Sequence, residues 1–258
     1  MKKAVAVAVA AATLVGAVPA QASAPDPVRA VKRQFVAGHG VKFSETLIAE
    51  GKKEVYMRVT GTYGFGPSGV VAADLTLRST LVSKKPTTMR LLAVGKRVYM
   101  QTDELRKDFP EGVKWIRMED TEGRLRAPSN QPVDIFQLPQ LKGLLSHATS
   151  VRNGVHRGTL TGRQANQIKA SMSTNGFDYR LSTGSTGLPT RLRTAVKDSL
   201  FTSLNHVDTR YSAWGHAVTI SEPSDDEVID IDDLSADLAD DLVDVQEIPD
   251  GALGSLAH

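Results

Sequence analysis

Lys53-Glu54-Val55-Tyr56-Met57-Arg58-Val59-Thr60-Gly61 alternates strictly, with Val55, Met57 and Val59 on one side and Glu54, Tyr56, Arg58 and Thr60 on the other. Successive side chains of a strand point to opposite faces, so this spacing predicts a strand with one apolar and one wetted face. Residues 71–81 repeat the pattern, setting Val71, Ala73, Leu75 and Leu77 against Ala72, Asp74, Thr76 and Arg78. Two such strands in succession predict an antiparallel sheet covered on one face only. Between them lies Gly64-Phe65-Gly66-Pro67-Ser68-Gly69, a literal Gly-x-Gly-x-x-Gly. A dinucleotide site needs a helix directly after that motif, whose N-terminus holds the pyrophosphate. Joining two alternating strands, the segment reads instead as a hairpin turn.

The same period extends outward. Strands are predicted over 87–94, 97–102 and 113–118, the first two joined by Gly95-Lys96. Residues 148–152 and 155–160 pair across Asn153-Gly154, the strongest short hairpin signal. Four more strands are expected over 177–182, 189–197, 200–211 and 217–220. Helical spacing is confined to three places. Asp26 and Pro27 open a short helix with Val28, Val31, Phe35 and Val36 as its stripe, ended by Gly38. Residues 132–147 carry Ile135, Phe136, Leu138, Leu141, Leu144 and Leu145, with Pro139 bending the helix. Residues 163–172 form the third. A strand meander with a few helices gathered on one side is α+β architecture.

The chain divides into three parts. Residues 1–24 read as a signal peptide: Lys2 and Lys3 precede an apolar run over 4–18, and small residues flank Gln21 and Ser23. The run is too short for a membrane span, which takes about 20 residues, and cleavage is expected after Ala22 or Ala24. No later stretch is as apolar, so an integral membrane protein is not expected. Residues 25–223 form the folded domain, and residues 224–258 an acidic C-terminal tail. The chain has no cysteine, which excludes disulfides, thiolate metal sites and a lipidated N-terminal cysteine.

Charge is unevenly spread. The formal net charge is +2, yet 12 acidic residues and no Lys or Arg lie in 225–258. Setting these aside, with Lys2 and Lys3, leaves 29 bases against 17 acids, a body of net +12. Without an aromatic-and-glycine RNA motif or a helix-turn-helix pattern, and with export expected, nucleic acid is not the expected partner. Cell-envelope polyanions and anionic head groups suit that charge and place better. Within the tail, Ile231, Leu234, Leu238, Leu242 and Val245 recur at spacings of three and four. This apolar stripe either stays solvated or covers the mouth of a cavity in the body.

Catalytic patterns are absent from the sequence reading. The six histidines (His39, His147, His156, His206, His216 and His258) have neither zinc-ligand spacing nor a carboxylate at motif distance. No Gly-x-Ser-x-Gly elbow occurs, and Asp103, Glu104, Glu119 and Asp120 read as solvated turn residues. The expectation is a protein that is not an enzyme and takes no metal or cofactor. What remains is the apolar sheet face. Val55, Met57, Val59, Leu75, Leu77 and Met100 are the candidate lining of an apolar ligand cavity, with ordinary core packing as the alternative. Met57, Met89, Met100 and Met118 suit a cavity that adapts to its ligand.

Three segments carry a resemblance. Thr186-Gly187-Leu188-Pro189-Thr190-Arg191-Leu192, Asp208-Thr209-Arg210-Tyr211-Ser212-Ala213-Trp214-Gly215 and Val94-Gly95-Lys96-Arg97-Val98-Tyr99-Met100 resemble the LppX/LprG lipoprotein family and the wider LolA- and LolB-like lipid carriers. The resemblance implies a strongly curved antiparallel half-barrel, helices on its concave side and a cavity for lipid or acyl chains. Tyr211 and Trp214 are expected to pack at the sheet edge rather than to contact a ligand. The expected function is a secreted carrier or sensor of a lipid or other apolar molecule. The alternative is an extracellular binding module with a filled core, docking on a protein partner or a cell-wall polyanion.

Overall fold

The computed structural model describes residues 25–49, 55–80, 85–102, 109–120, 129–170, 175–196 and 204–234. The expected signal peptide, Asp103, Glu104, Leu238, Leu242 and Val245 lie outside them. Twelve strands form one sheet: β1 His39–Ala49, β2 Val55–Gly66, β3 Gly69–Ser79, β4 Thr87–Val94, β5 Arg97–Thr102, β6 Trp115–Glu119, β7 Ser150–Arg152, β8 Val155–Thr161, β9 Gly176–Thr183, β10 Pro189–Val196, β11 Leu204–Ala217 and β12 Val228–Asp230. Their spatial order is β12-β6-β5-β4-β3-β2-β1-β11-β10-β9-β8-β7, an open sheet not closed into a barrel. Every pairing is antiparallel except β12 with β6. Among the described residues there are three helices, α1 Pro27–Lys32, α2 Leu138–Ser146 and α3 Gly162–Gln167.

The predicted alternation sets the register. Val59 pairs with Leu77 and Leu77 with Met89; in the next row Leu75 pairs with Leu91, Leu91 with Met100 and Met100 with Ile116. Of these, Val59, Leu75, Leu77 and Leu91 are buried together with Val31 of α1 and Leu141 and Leu144 of α2. Asp26 caps α1 by accepting the Val28 N–H at 2.9 Å, and Pro27 fills its first turn. Asn153 and Gly154 both take positive φ, 49° and 71°, as a tight hairpin between right-twisted strands requires. Gly64 to Gly69 is the end of β2, a two-residue turn and the start of β3, with no helix after it.

Five points need correction. β1, the strand between β2 and β11, is not predicted, because Glu45 stands where its apolar alternation calls for an aliphatic residue. The helix expected over 132–147 begins only at Leu138, with Pro139 in its first turn rather than at a bend. Ahead of it, Asp134 Oδ1 accepts the Phe136 N–H and Gln140 Oε1 accepts the Asp134 N–H, both at 2.8 Å, a side-chain bonding scheme that competes with helix. Residues 217–220 are not a separate strand: β11 runs through to Ala217. Tyr211 and Trp214 therefore lie on an interior strand and join a cluster of rings with Phe65 and Phe136, not a sheet edge. Asp120, expected to be solvated, is buried.

Beyond β11 the chain crosses the outer face to reach the far edge of the sheet. Val218 and Ile220 lie over Gly40, Gly64 and Ala72, where missing or minimal side chains leave room for them. Ile220 and Val228 then pack against Leu92, Tyr99 and Trp115. A Cβ on Gly40 would stand 2.5 Å from the Tyr63 carbonyl and 2.6 Å from Val218 Cγ1. Gly40→Ala should therefore destabilise the protein by about 1–3 kcal/mol through overpacking. Urea unfolding would read this as a lower midpoint with unchanged slope.

Candidate functional site

Two features of the inner face stand apart from ordinary packing. The first is built on Glu45, which occupies an inward position of β1 between Phe43 and Leu47 and has no exposed surface. A charged residue is rarely buried so completely without partners. Four donors meet its carboxylate: Ser129 Oγ at 2.6 Å, Thr209 Oγ1 at 2.7 Å, and the Asn130 backbone N–H and side-chain amide, each at 2.8 Å. The network continues through Gln131, whose amide donates to Thr209 Oγ1 at 2.8 Å and to the Leu192 carbonyl at 3.2 Å. Thr194 Oγ1 completes it by donating to Gln131 Oε1 at 2.7 Å. Segment 129–137 is thereby tied to β1, β10 and β11 at once. Asn130 Oδ1 is buried and has no hydrogen-bond partner among the described residues.

Beside this network lies a cleft of about 240 Å³, open mouth included, lined by Phe43, Tyr63, Ser129, Val133, Asp134, Ile135, Phe136, Thr209 and Tyr211. Most of that space is open solvent; the cavity proper is about 10 Å³, room for about one water molecule and far below the roughly 300–1,000 Å³ of typical small-ligand pockets. Phe43 and Tyr63 stack with centroids 4.3 Å apart, and Phe136 meets Tyr63 edge-on at 5.2 Å. Burial, reinforced by the charge of Glu45, raises the hydroxyls of Tyr63 and Tyr211 well above the usual tyrosine range. Burial likewise pushes Asp134 up to about 6, against hydrogen bonds from Phe136 and Gln137 that favour its charged form.

The second feature is an apolar cluster outside the main core. Met100 and Ile116 are buried there, with Met89, Phe109 and Met118 beside them and Ile229, Ile231 and Leu234 laid over them from the C-terminal segment. That segment runs through a 3-10 turn, Asp225–Glu227, then β12 and a second 3-10 turn, Ile231–Asp233. Charge attaches it to β6 and its surroundings: Lys114 pairs with Glu227, Arg117 with Asp230 at 2.6 Å and Arg97 with Glu222 at 2.9 Å.

The six candidate cavity residues divide between these surroundings. Met57, Val59, Leu75 and Leu77 lie deep in the main core and Val55 is half-buried at the start of β2. Met100 belongs to the second cluster. None of the six lines the cleft. Sequence reasoning missed Glu45, Ser129, Asn130, Gln131, Asp134, Thr194 and Thr209. The signal for Glu45 is Val41-Lys42-Phe43-Ser44-Glu45-Thr46-Leu47, where an acid interrupts an apolar register. Among the described residues no group of three His, Asp or Glu side chains is placed to hold a metal ion. Comparison with protein-family models and with curated proteins finds no match.

Two outcomes are expected. Glu45→Gln turns an acceptor into an amide facing the donors around it, which should cost about 1–3 kcal/mol in thermal or urea unfolding. The folded-state pKa of Asp134 is raised, so between about pH 4 and 6 the native chain binds more protons there than the unfolded chain, and stability falls as pH rises. Asp134→Asn keeps the oxygen that accepts the Phe136 N–H. It should flatten that decline and raise Tm at pH 7.5, measured by calorimetry across pH 3.5–7.5.

Proposed function

We propose that this protein is a secreted carrier or sensor of a lipid or other apolar molecule, exported by cleavage of residues 1–24. In this reading the open sheet curls as a half-barrel, with α1 and α2 on its concave side. The observation that carries the reading is the second apolar cluster. The inner face continues beyond the main core onto β4, β5 and β6, and there its cover includes the last described stretch of chain rather than a helix. Met89, Met100 and Met118 give this surface a lining that adapts to a guest's shape. Ion pairs hold the cover down, so an apolar guest entering beneath Ile229, Ile231 and Leu234 would exchange one apolar contact for another. The acidic tail then acts as a gate whose electrostatic hold weakens with salt, the Debye length falling from about 10 Å at 0.1 M to about 3 Å at 1 M.

A second reading is favoured by the filled state of the main core, where Leu75 is fully buried and Met57 and Val59 nearly so. Under it the protein is an extracellular binding module that docks on a protein partner or a cell-envelope polyanion and encloses no ligand.

The mature chain and a form ending at Pro223 would be titrated with a fluorescent fatty-acid analogue at 0.1 and 1 M NaCl. The carrier reading expects micromolar binding and at least a tenfold loss in Met100→Trp. It also expects a full-length affinity that moves toward that of the truncated form as salt rises. No binding at either salt concentration, with no lipid extracted from the purified protein, leaves the second reading. Expressed in a secreting host, the precursor should begin at residue 23 or 25 by N-terminal sequencing. Met1 retained on membrane-bound protein would overturn export.

A further inference from the structure

The outer face of the sheet carries arginines in cross-strand register. Arg157 on β8 stands opposite Arg180 on β9, and Arg180 opposite Arg193 on β10. The row continues through Asp208 and Thr46 to Arg58 on β2, which stands opposite Arg78 on β3. It crosses seven strands, about 29 Å at the usual spacing between neighbours. One pleat away, Arg191 stands opposite Arg210, and Ser44, Thr60 and Thr76 carry that row to Arg90.

Like charges directly opposite on adjacent strands destabilise a sheet, yet these two rows contain four such Arg–Arg pairs. The acids on this face offset them only in part, at Arg191 and Arg193. Asp208 is shared by Arg191 and Arg193, and although burial disfavours its charge the two guanidiniums hold it below the usual carboxylate range. Asp74 holds Arg90 at 2.9 Å. Arg58, Arg78, Arg157, Arg180 and Arg210 are exposed and have no ion-pair partner among the described residues. A repeated local cost on one exposed face is where a binding function is to be sought.

The chemistry of the rows selects the partner. Guanidinium matches phosphate oxygens two at a time and is the favoured side chain for that recognition. The residues between the arginines include hydroxyls, from Ser44, Thr46, Thr60 and Thr76. Among the described residues the exposed large apolar side chains, Val36, Val71 and Val151, lie outside both rows. The rows therefore lack the apolar wedge by which surface-bound proteins enter a bilayer and the aromatic platforms on which single-stranded bases stack. We propose that the outer face of this sheet is a docking surface for a linear, hydrophilic, phosphate-bearing polymer, which lies across the strands along the arginine rows. This surface is on the opposite side of the sheet from the proposed apolar site and stands or falls independently of it.

The test uses the mature full-length chain and inorganic polyphosphate of defined length as probe, followed by fluorescence anisotropy at 0.05 and 0.5 M NaCl. Binding at low salt should weaken at least tenfold at high salt. Arg58→Gln with Arg78→Gln should weaken it at least tenfold, whereas Arg29→Gln on α1 with Arg33→Gln at its C-terminal cap, an equal loss of charge elsewhere, should change it less than threefold. Arg180→Gln, which relieves two opposed pairs, should raise Tm while lowering affinity. No binding, equal losses from both double variants, or binding confined to vesicles of phosphatidylglycerol and phosphatidylcholine would each overturn the proposal.

Discussion

A buried carboxylate under the middle of the sheet organises this molecule. An open sheet of twelve strands has an inner face too wide for three short helices to cover, so irregular chain must take part. Irregular chain in an apolar place brings backbone groups that need partners. Segment 129–137 meets that demand by bringing Ser129, Asn130 and Gln131 onto Glu45, Thr194 and Thr209. Once it is anchored, Val133, Ile135 and Phe136 enter the core beside it. The bonds reach β1 and, far later in the sequence, the successive strands β10 and β11, so one knot fixes the crossing segment and the central register together.

The two faces of the sheet meet different constraints with the same alternating code. Inward positions are filled by aliphatic and methionine side chains whose rows run from strand to strand. Outward positions carry hydroxyls and arginines, and near the β4–β6 edge a small apolar patch is roofed by Ile220 and Val228. The C-terminal segment serves both faces, laying Ile220 and Val228 on the outside and Ile229, Ile231 and Leu234 on the inside. The reversal between Val228 and Ile229 is the ordinary alternation of a strand, applied at an edge where each face is within reach.

Much of this was legible in the sequence, for reasons that differ by element. β2 and β3 stood out because their inward residues are all apolar and their outward ones mostly polar. The hairpins at Gly95 and at Asn153-Gly154 stood out because positive φ selects those residues. β1 was hidden by its own functional-looking residue, since Glu45 breaks the pattern that period-based reading relies on. Residues 132–137 were read as helix because apolar residues at helical spacing also serve a chain that winds across a core. The Glu45 network could not be read at all. Its members come from β1, the crossing segment, β10 and β11, and no local spacing relates them. The tail was legible as a charged stripe with apolar spacing, but its edge-strand pairing with β6 depends on a surface made elsewhere.

Strand order has a temporal consequence. β1 lies between β2 and β11, with Phe43 beside Gly61 on one side and beside Tyr211 on the other. One neighbour emerges within a few residues of synthesis; the other arrives only when the domain is almost complete. Until then the first strand has an open flank, and Glu45 lacks Thr209. Pairings so distant along the chain close slowly. In a polypeptide arranged in this way the centre of the sheet is the last part to close, after its final third has been made.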